Sequence, residues 1–428
     1  PMNPVPYTRA DFDTSPLMFY YEVTLACDLV CKHCRASAQE QPHPQELDSQ
    51  QSKALLAQAA TFPRPPNVVL TGGDPLKRRD LFALIEHARA AGLQVALTPS
   101  ATPLATREAF ARAKQAGISA LGISLDGADA ETHDAFRGWE GSFARTMQML
   151  EDARRLQLPV QINTTITTRN VHQIDAIAEL LVDKGIFMWS VFFLVPVGRG
   201  AQETRIAPHQ YEEVFARLWY HARTKPYAVK TTEAPHYRRF VLQQGGDPLA
   251  GPGHAAGGSA AHWKPGIANS IGSSASGPEG QGIGEPKDAG IGDPAGADIG
   301  GPKDAHIGDP AVRAAHRAPL GVGDGKGIMF VGHTGEIYPA GFLPLRCGTF
   351  PADSVVEVYQ NHPTFRALRD PDHFKGKCGI CEYRHVCGGS RARAYALTGD
   401  PLETDPDCAY VPQALRNESR PAGKPYGH

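Results

Sequence analysis

Three cysteines, Cys27, Cys31 and Cys34, stand in the run Ala26-Cys27-Asp28-Leu29-Val30-Cys31-Lys32-His33-Cys34. A C-x3-C-x2-C spacing puts three thiolates on one loop, where they can hold three irons of a four-iron cluster and leave the fourth open to an outside ligand. An open iron implies chemistry at the metal. The alternatives are a zinc site with His33 as fourth ligand, or buried reduced thiols; His33 is adjacent to Cys34, which is awkward for one closed tetrahedron. A second group, Cys378-x2-Cys381-x5-Cys387-x20-Cys408, offers four thiolates, enough to close a site around either zinc or a four-iron cluster. Cys347, the eighth cysteine, reads as a small buried thiol. In a reducing cytosol such close spacings mark ligands sooner than disulfides.

Positioning these thiols falls to an alternation of strand-like and helical runs over the first part of the chain. Strands are predicted at Met18 to Leu25, Asn67 to Thr71, Gln94 to Thr98, Ala120 to Leu125, Val160 to Ile166 and Met188 to Val195. Helices are predicted at Asp48 to Ala60, Arg79 to Ala91, Thr106 to Ala116, Ser142 to Leu156, Val171 to Lys184 and Pro208 to Arg223. Six βα units with right-handed crossovers form an open parallel barrel or a doubly wound sheet, and either places its ligand site at the C-terminal ends of the strands. The first cysteine group, the turn Gly72-Gly73-Asp74-Pro75, and Ser124 with Asp126 fall at three of those ends.

Between Gly245 and Pro319 the composition changes: residues 251–310 hold 16 Gly and 7 Pro, with an imperfect octapeptide repeat beginning at Ile283, Ile291, Ile299 and Ile307. So few apolar residues cannot offset the entropy of ordering, and the stretch reads as a disordered insertion. The expected organisation is an N-terminal arm at 1–16, an α/β barrel at 17–243, the insertion at 244–321, a small cysteine-rich domain at 322–412 and a tail at 413–428. Lys plus Arg number 43 against 45 acidic residues, a net charge of -2, which removes any global electrostatic case for nucleic acid or an anionic membrane. No apolar run is long enough to span a bilayer and no signal-peptide pattern occurs at the start, so a cytoplasmic location is expected.

With the cysteine triad after a first strand, Thr71-Gly72-Gly73-Asp74-Pro75 after a second and Leu121-Gly122-Ile123-Ser124-Leu125-Asp126-Gly127 at a fourth, the chain resembles radical S-adenosylmethionine (SAM) enzymes with a SPASM or twitch-type C-terminal extension. The likeness covers about residues 17–243 and 322–412. It implies a partial (β/α)6 radical SAM barrel followed by an auxiliary-cluster domain, two [4Fe-4S] clusters, and reductive cleavage of SAM to a 5′-deoxyadenosyl radical. It also implies a low-potential electron donor such as ferredoxin or flavodoxin. Gly72, Gly73, Asp74 and Pro75 match the family's GGEP motif with Asp for Glu and are expected to contact SAM, the glycines freeing strand-end carbonyls to accept from its ammonium. Ser124 and Asn163 are expected to contact its carboxylate, adenosine or ribose. Arg137 is a candidate partner for a carboxylate. The extension departs from the seven-cysteine SPASM pattern at Ala340 and Arg391, which speaks against a third cluster.

Gly388-Gly389-Ser390-Arg391-Ala392-Arg393-Ala394 and Tyr338-Pro339-Ala340-Gly341-Phe342-Leu343-Pro344 are similar to segments of the branch that modifies iron tetrapyrroles in heme and heme d1 synthesis. That likeness implies a propionate-bearing, tetrapyrrole-like small molecule as substrate, with Arg238, Arg239, Arg391, Arg393 and His236 as candidate contacts, since a guanidinium binds carboxylate through paired hydrogen bonds. Interface ion pairing is the competing role for these residues. A peptide substrate, as in the maturases of ribosomally made peptides, is the other enzymatic reading, and the short stretch before the first strand leaves no room for a leader-binding domain. An iron–sulfur carrier or scaffold is the reading outside enzymes; a carrier has no use for an open iron beside a glycine-rich turn.

Overall fold

The structure, a computed structural model, describes residue 8, residues 10–248 and residues 321–418. The repeat insertion lies almost wholly outside these residues, as do most of the N-terminal arm and the end of the tail. Seven parallel strands run in sequence order across one sheet: β1 (Met18–Glu22), β2 (Asn67–Thr71), β3 (Gln94–Leu97), β4 (Ala120–Ser124), β5 (Val160–Ile166), β6 (Met188–Phe193) and β7 (Ala228–Thr232). Strand pleat decides which side chains meet helices. In β5, Val160, Ile162 and Ile166 join the main apolar core, whereas the half-buried Gln161, Asn163 and Thr165 face the other, inner side.

Helices pack on the core side: α1 (Ser49–Ala59), α2 (Leu81–Ala90), α3 (Arg107–Ala116), α5 (Ser142–Arg155), α6 (Ile174–Leu180), α7 (Pro208–Thr224) and α8 (His236–Gln243), whereas α4 (Ala130–Arg137) sets Phe136 against His33 of the cysteine loop. In α1, Asp48 accepts from Gln51 N at 2.8 Å and Gln51 reaches back to Asp48 N at 3.0 Å, a capping box that starts the helix. Ser52, Leu55, Leu56 and Ala59 then form its buried stripe. Burial of each leucine stabilises the fold by roughly 1.5–3 kcal/mol.

Beyond the six expected strands the parallel run gains β7, together with α4 and α8. The C-terminal segment extends the same sheet: β8 (Ile328–Val331) pairs in parallel with β1, Met18 opposite Ile328, and β9 (Glu336–Tyr338) and β10 (Gly348–Thr349) follow antiparallel. Left uncovered, β1 would present a row of unpaired backbone groups beside the cysteine loop, and β8 satisfies them. Beyond the sheet come α9 (Val355–Asn361), α10 (Pro363–Arg369), α11 (Gly376–Ile380), α12 (Arg391–Thr398) and α13 (Gln413–Glu418). Among the described residues no helix is long and apolar enough to cross a membrane.

The arm is likewise built in from residue 10 onward: a 3-10 turn at Ala10–Asp13 buries Phe12, whose carbonyl accepts from Tyr359 Oη at 2.8 Å. The same hydroxyl accepts from Gly327 N at 3.0 Å, so one side chain of α9 ties the arm to the start of β8. Tyr359→Phe takes one hydrogen-bond partner from each of these two buried backbone groups, at a cost of about 1–3 kcal/mol. We expect a lower thermal midpoint with secondary structure intact; an unchanged midpoint would show that the clasp contributes nothing.

Candidate functional site

The loop carrying Cys27, Cys31 and Cys34 leaves β1 and is held chiefly by backbone bonds to other loops. Gly73 N donates to Thr24 O at 2.8 Å and Asp74 N to Ala26 O at 2.6 Å; Lys32 N donates to Phe136 O at 2.9 Å and Arg199 N to Cys34 O at 2.9 Å. The Arg199 guanidinium adds Nε to Cys31 O at 2.9 Å and Nη1 to Ala38 O at 2.8 Å. Approach this close demands missing side chains. A Cβ on Gly73 would stand 2.3 Å from Ala26 O, and one on Gly198, whose φ is +56°, 2.2 Å from Arg35 O.

The three thiols pack together with Leu29 and Ala38, and polar hydrogens reach each sulfur. Leu29 N approaches Cys27 Sγ at 3.4 Å, Ala38 N approaches Cys34 Sγ at 3.4 Å and Arg137 Nη1 approaches Cys31 Sγ at 3.6 Å. Such donors suit an anionic iron–sulfur ligand set, so the residues present fit the expected cluster. Arg137 also pairs with Asp126 at 2.7 Å, the carboxylate partner that its position suggested. Burial works against ionising Asp126, but Arg137 together with His33, His133 and the Thr165 N–H outweighs it and holds the carboxyl below its ordinary range. His33 stacks on Phe136 with ring centroids 4.3 Å apart and faces Asp126 at 3.8 Å. Burial pushes its pKa down to about 4.

From the sheet's other edge the C-terminal segment reaches the same loop. His333 Nδ1 lies 2.6 Å from Glu22 Oε1, and Arg35 Nη2 donates to Glu22 Oε2 at 2.8 Å while its guanidinium covers the Phe330 ring at 4.2 Å. Although burial opposes it, Arg35 and then His333 hold the Glu22 carboxyl below the usual range.

The residues expected to hold SAM do not share one role. Gly72 and Gly73 lie against the cysteine loop, and the Gly73 carbonyl accepts from Ser100 Oγ at 3.0 Å. Asp74 is fully buried, accepting from Thr102 Oγ1 at 2.6 Å, Leu76 N at 3.1 Å and Ser100 N at 3.3 Å. This corrects its expected direct contact: the carboxylate fixes the turn, and Pro75 begins the 3-10 turn that follows. Ser124 and Asn163 are register partners on the inner face of β4 and β5. Ser124 is half-buried, whereas Asn163 Oδ1 already accepts from Gln161 Nε2 at 2.7 Å. Ser100, Glu22, Arg35, Arg199 and His333 escaped the sequence reading; Glu22, the last residue of β1, and Ser100, just after β3, stand at strand ends from which they could have been found.

Cys378, Cys381, Cys387 and Cys408 line one pocket with Lys377, Tyr410 and their neighbours. Gly389 N approaches Cys387 Sγ at 3.4 Å, Asp405 N approaches Cys378 Sγ at 3.5 Å and Arg391 Nη2 approaches Cys378 Sγ at 3.4 Å. The proposed substrate arginines are otherwise engaged. Arg393 is fully buried and grips Asp405 through Nε at 2.9 Å and Nη2 at 2.7 Å. Arg391 donates to the carbonyls of Glu403 at 2.6 Å and Pro401 at 3.1 Å, Arg239 pairs with Glu212, and Arg238 donates to Val386 O at 3.3 Å. His236 is buried between the Tyr211 and Phe215 rings, with its pKa pushed down by burial to about 3. Arg391, Arg393 and Arg239 are thus engaged within the chain, whereas both ring nitrogens of His236 lack a hydrogen-bond partner among the described residues.

The pattern of the Radical SAM superfamily matches residues 21–181. The chain is 34% identical over 398 residues to the AdoMet-dependent heme synthase of Methanosarcina barkeri, covering 93% of this chain and 97% of that protein. It is 28% identical over 415 residues to the pre-heme d1 synthase of Dinoroseobacter shibae, covering 95% and 89%. In fold it is similar to Streptococcus suis SuiB bound to S-adenosylmethionine, with a TM-score of 0.60 at 14% identity over 93% of this chain and 78% of the other.

Gly73→Ala must push the turn after β2 away from Ala26, because backbone on both sides leaves no flexible atom to yield. Equilibrium dialysis is expected to show SAM affinity weakened by about tenfold or more, the scale of losing one charge-assisted contact. Affinity equal to the parent's would contradict this account of the turn.

Proposed function

The chain belongs to the radical SAM superfamily, within its heme-biosynthesis branch, and from that premise we propose that it is an oxidoreductase acting on propionate side chains of an iron tetrapyrrole. The substrate reading rests on one observation above all, the 34% identity to a heme synthase sustained over 93% of the chain. When bound, the first cluster and SAM would supply a 5′-deoxyadenosyl radical able to take a hydrogen atom from a propionate side chain, and release of carbon dioxide from the resulting substrate radical would pass one electron to an acceptor.

The chain's own residues prepare that chemistry. Cys27, Cys31 and Cys34 would hold the first cluster, with Arg137, Leu29 N and Ala38 N directing positive charge at the sulfurs. Gly72 and Gly73, with Ser124 and Asn163 on the inner face, would seat SAM beside it. Cys378, Cys381, Cys387 and Cys408 would hold a second [4Fe-4S] cluster. What supports a ligand set there is that the four thiols line one pocket and that Gly389 N, Asp405 N and Arg391 Nη2 approach their sulfurs. A ferredoxin- or flavodoxin-type donor would supply the electron.

Anaerobic reconstitution is expected to load about eight irons, four per cluster. Replacing Cys27, Cys31 and Cys34 together by alanine should halve that load and abolish 5′-deoxyadenosine formation under dithionite. Four irons plus one zinc in the parent protein would remove the second cluster from the account, and SAM cleavage persisting in the triple variant would remove the first.

A further inference from the structure

Lys230 stands on β7, in register with Ser190 on β6, which in turn is in register with Asn163 on β5 and, through it, with Ser124 on β4. Residues opposite one another on neighbouring strands share a face, so this row crosses the inner side of the sheet at one level. The face is settled by its neighbours: Trp189 and Val191 of β6 and Ile162 of β5 belong to the helix-packed core, and Ser190 Oγ meets Thr232 Oγ1, two residues beyond Lys230, at 3.1 Å on the other side. Below the row Ala96, Ala120, Phe187, Met188 and Ala228 form an apolar plug. Lys230 therefore projects from the inner wall above a closed floor.

Its ammonium makes no hydrogen bond or ion pair among the described residues, and the charged group acting on it is a second cation, Arg238 of α8. Burial, with Arg238 adding to it, pushes the Lys230 pKa down to about 8. Lys230 is half-buried on this face with no acid beside it, so its charge has no partner among the described residues, and keeping one there points to an anion that arrives with a ligand. Contrast Arg393, Arg239 and Arg137, each buried against a carboxylate of this chain.

We propose that Lys230 is the cation that seats a carboxylate of the substrate on the inner face, a specificity residue for the reaction. The inference rests on the tetrapyrrole reading above and deepens it. Two carboxylates enter such a site, that of SAM's methionine and those of the substrate. Topology favours the second. The cysteine loop and the turn at Gly72 and Gly73 follow β1 and β2, whereas Lys230 lies on β7, at the opposite edge of the parallel set. A macrocycle between them would keep one propionate at the metal end and another at Lys230.

The test compares Lys230→Met and Lys230→Arg with the parent holoprotein, using iron coproporphyrin III as probe in absorbance titrations and SAM in equilibrium dialysis. We expect Lys230→Met to raise the Kd for the tetrapyrrole by about tenfold or more, the scale of one charge-assisted contact, and Lys230→Arg to restore most of it. The thermal midpoint of Lys230→Met should equal or exceed the parent's, since the ammonium makes no ion pair or hydrogen bond among the described residues for the substitution to remove. Tetrapyrrole binding unchanged in Lys230→Met overturns the assignment and leaves the proposed function standing. So does weakening of SAM binding alone, or a lowered midpoint without rescue by arginine. A parent protein that binds no propionate-bearing tetrapyrrole overturns both.

Discussion

The hydrogen bond from Asp74 N to Ala26 O, 2.6 Å long, joins the turn after β2 to the loop after β1, and the rest of the site is arranged around that junction. The loop from Leu25 to Ala38 contains no helix or strand, so its buried backbone groups need partners from elsewhere. The turn at Gly73, the end of α4 at Phe136 and the segment at Arg199 supply them. Asp74 serves this purpose from beneath, its carboxylate satisfied three times over by Thr102, Leu76 and Ser100. A loop that must present three sulfurs in one geometry is thereby fixed by the sheet's own loops.

Both cysteine groups lie beside buried arginine–carboxylate pairs, and those pairs orient more than they stabilise. Arg137 bridges Asp126 and Cys31; Arg393 bridges Asp405, Asp407 and the carbonyl of Glu233, with Asp407 further held by Tyr211 and Arg205. Replacing such a pair with apolar residues is often neutral for stability, whereas removing one partner leaves a costly buried charge. Here each pair fixes a segment carrying or flanking thiols against the barrel. The Glu22, Arg35 and His333 cluster does the same where β8 joins β1, so the C-terminal segment helps to complete the first site as well as housing the second.

Strands with one apolar face were readable from the sequence. Asn67–Thr71 and Val160–Ile166 have the bounds that their pattern predicts, because one residue in two is buried against helices. β7 was not readable: Ala-Val-Lys-Thr-Thr carries polar residues toward the inner face and lacks the apolar alternation that marks a strand. α4 is short and polar, announced only by Asp129, which caps it by accepting from Thr132 N at 2.8 Å. The pairing of β8 with β1 joins residues some 300 positions apart and leaves no local signal. Sequence left the substrate and interface roles of Arg391 and Arg393 open for a related reason. Their partners, the backbone at Pro401 and Glu403 and the side chain of Asp405, sit in a following segment whose visible feature is Cys408. Cysteine spacing, by contrast, is a local signal: the first three thiols share one apolar cluster and the other four line one pocket.

The measurement that bears most directly on the function is the mass spectrum of an iron tetrapyrrole incubated anaerobically with the reconstituted protein, SAM and dithionite, read alongside 5′-deoxyadenosine. The account predicts tetrapyrrole products that have lost carbon dioxide or the entire propionate arm, rising in step with 5′-deoxyadenosine. A tetrapyrrole of unchanged mass, with 5′-deoxyadenosine forming at the same rate whether or not it is present, would contradict it.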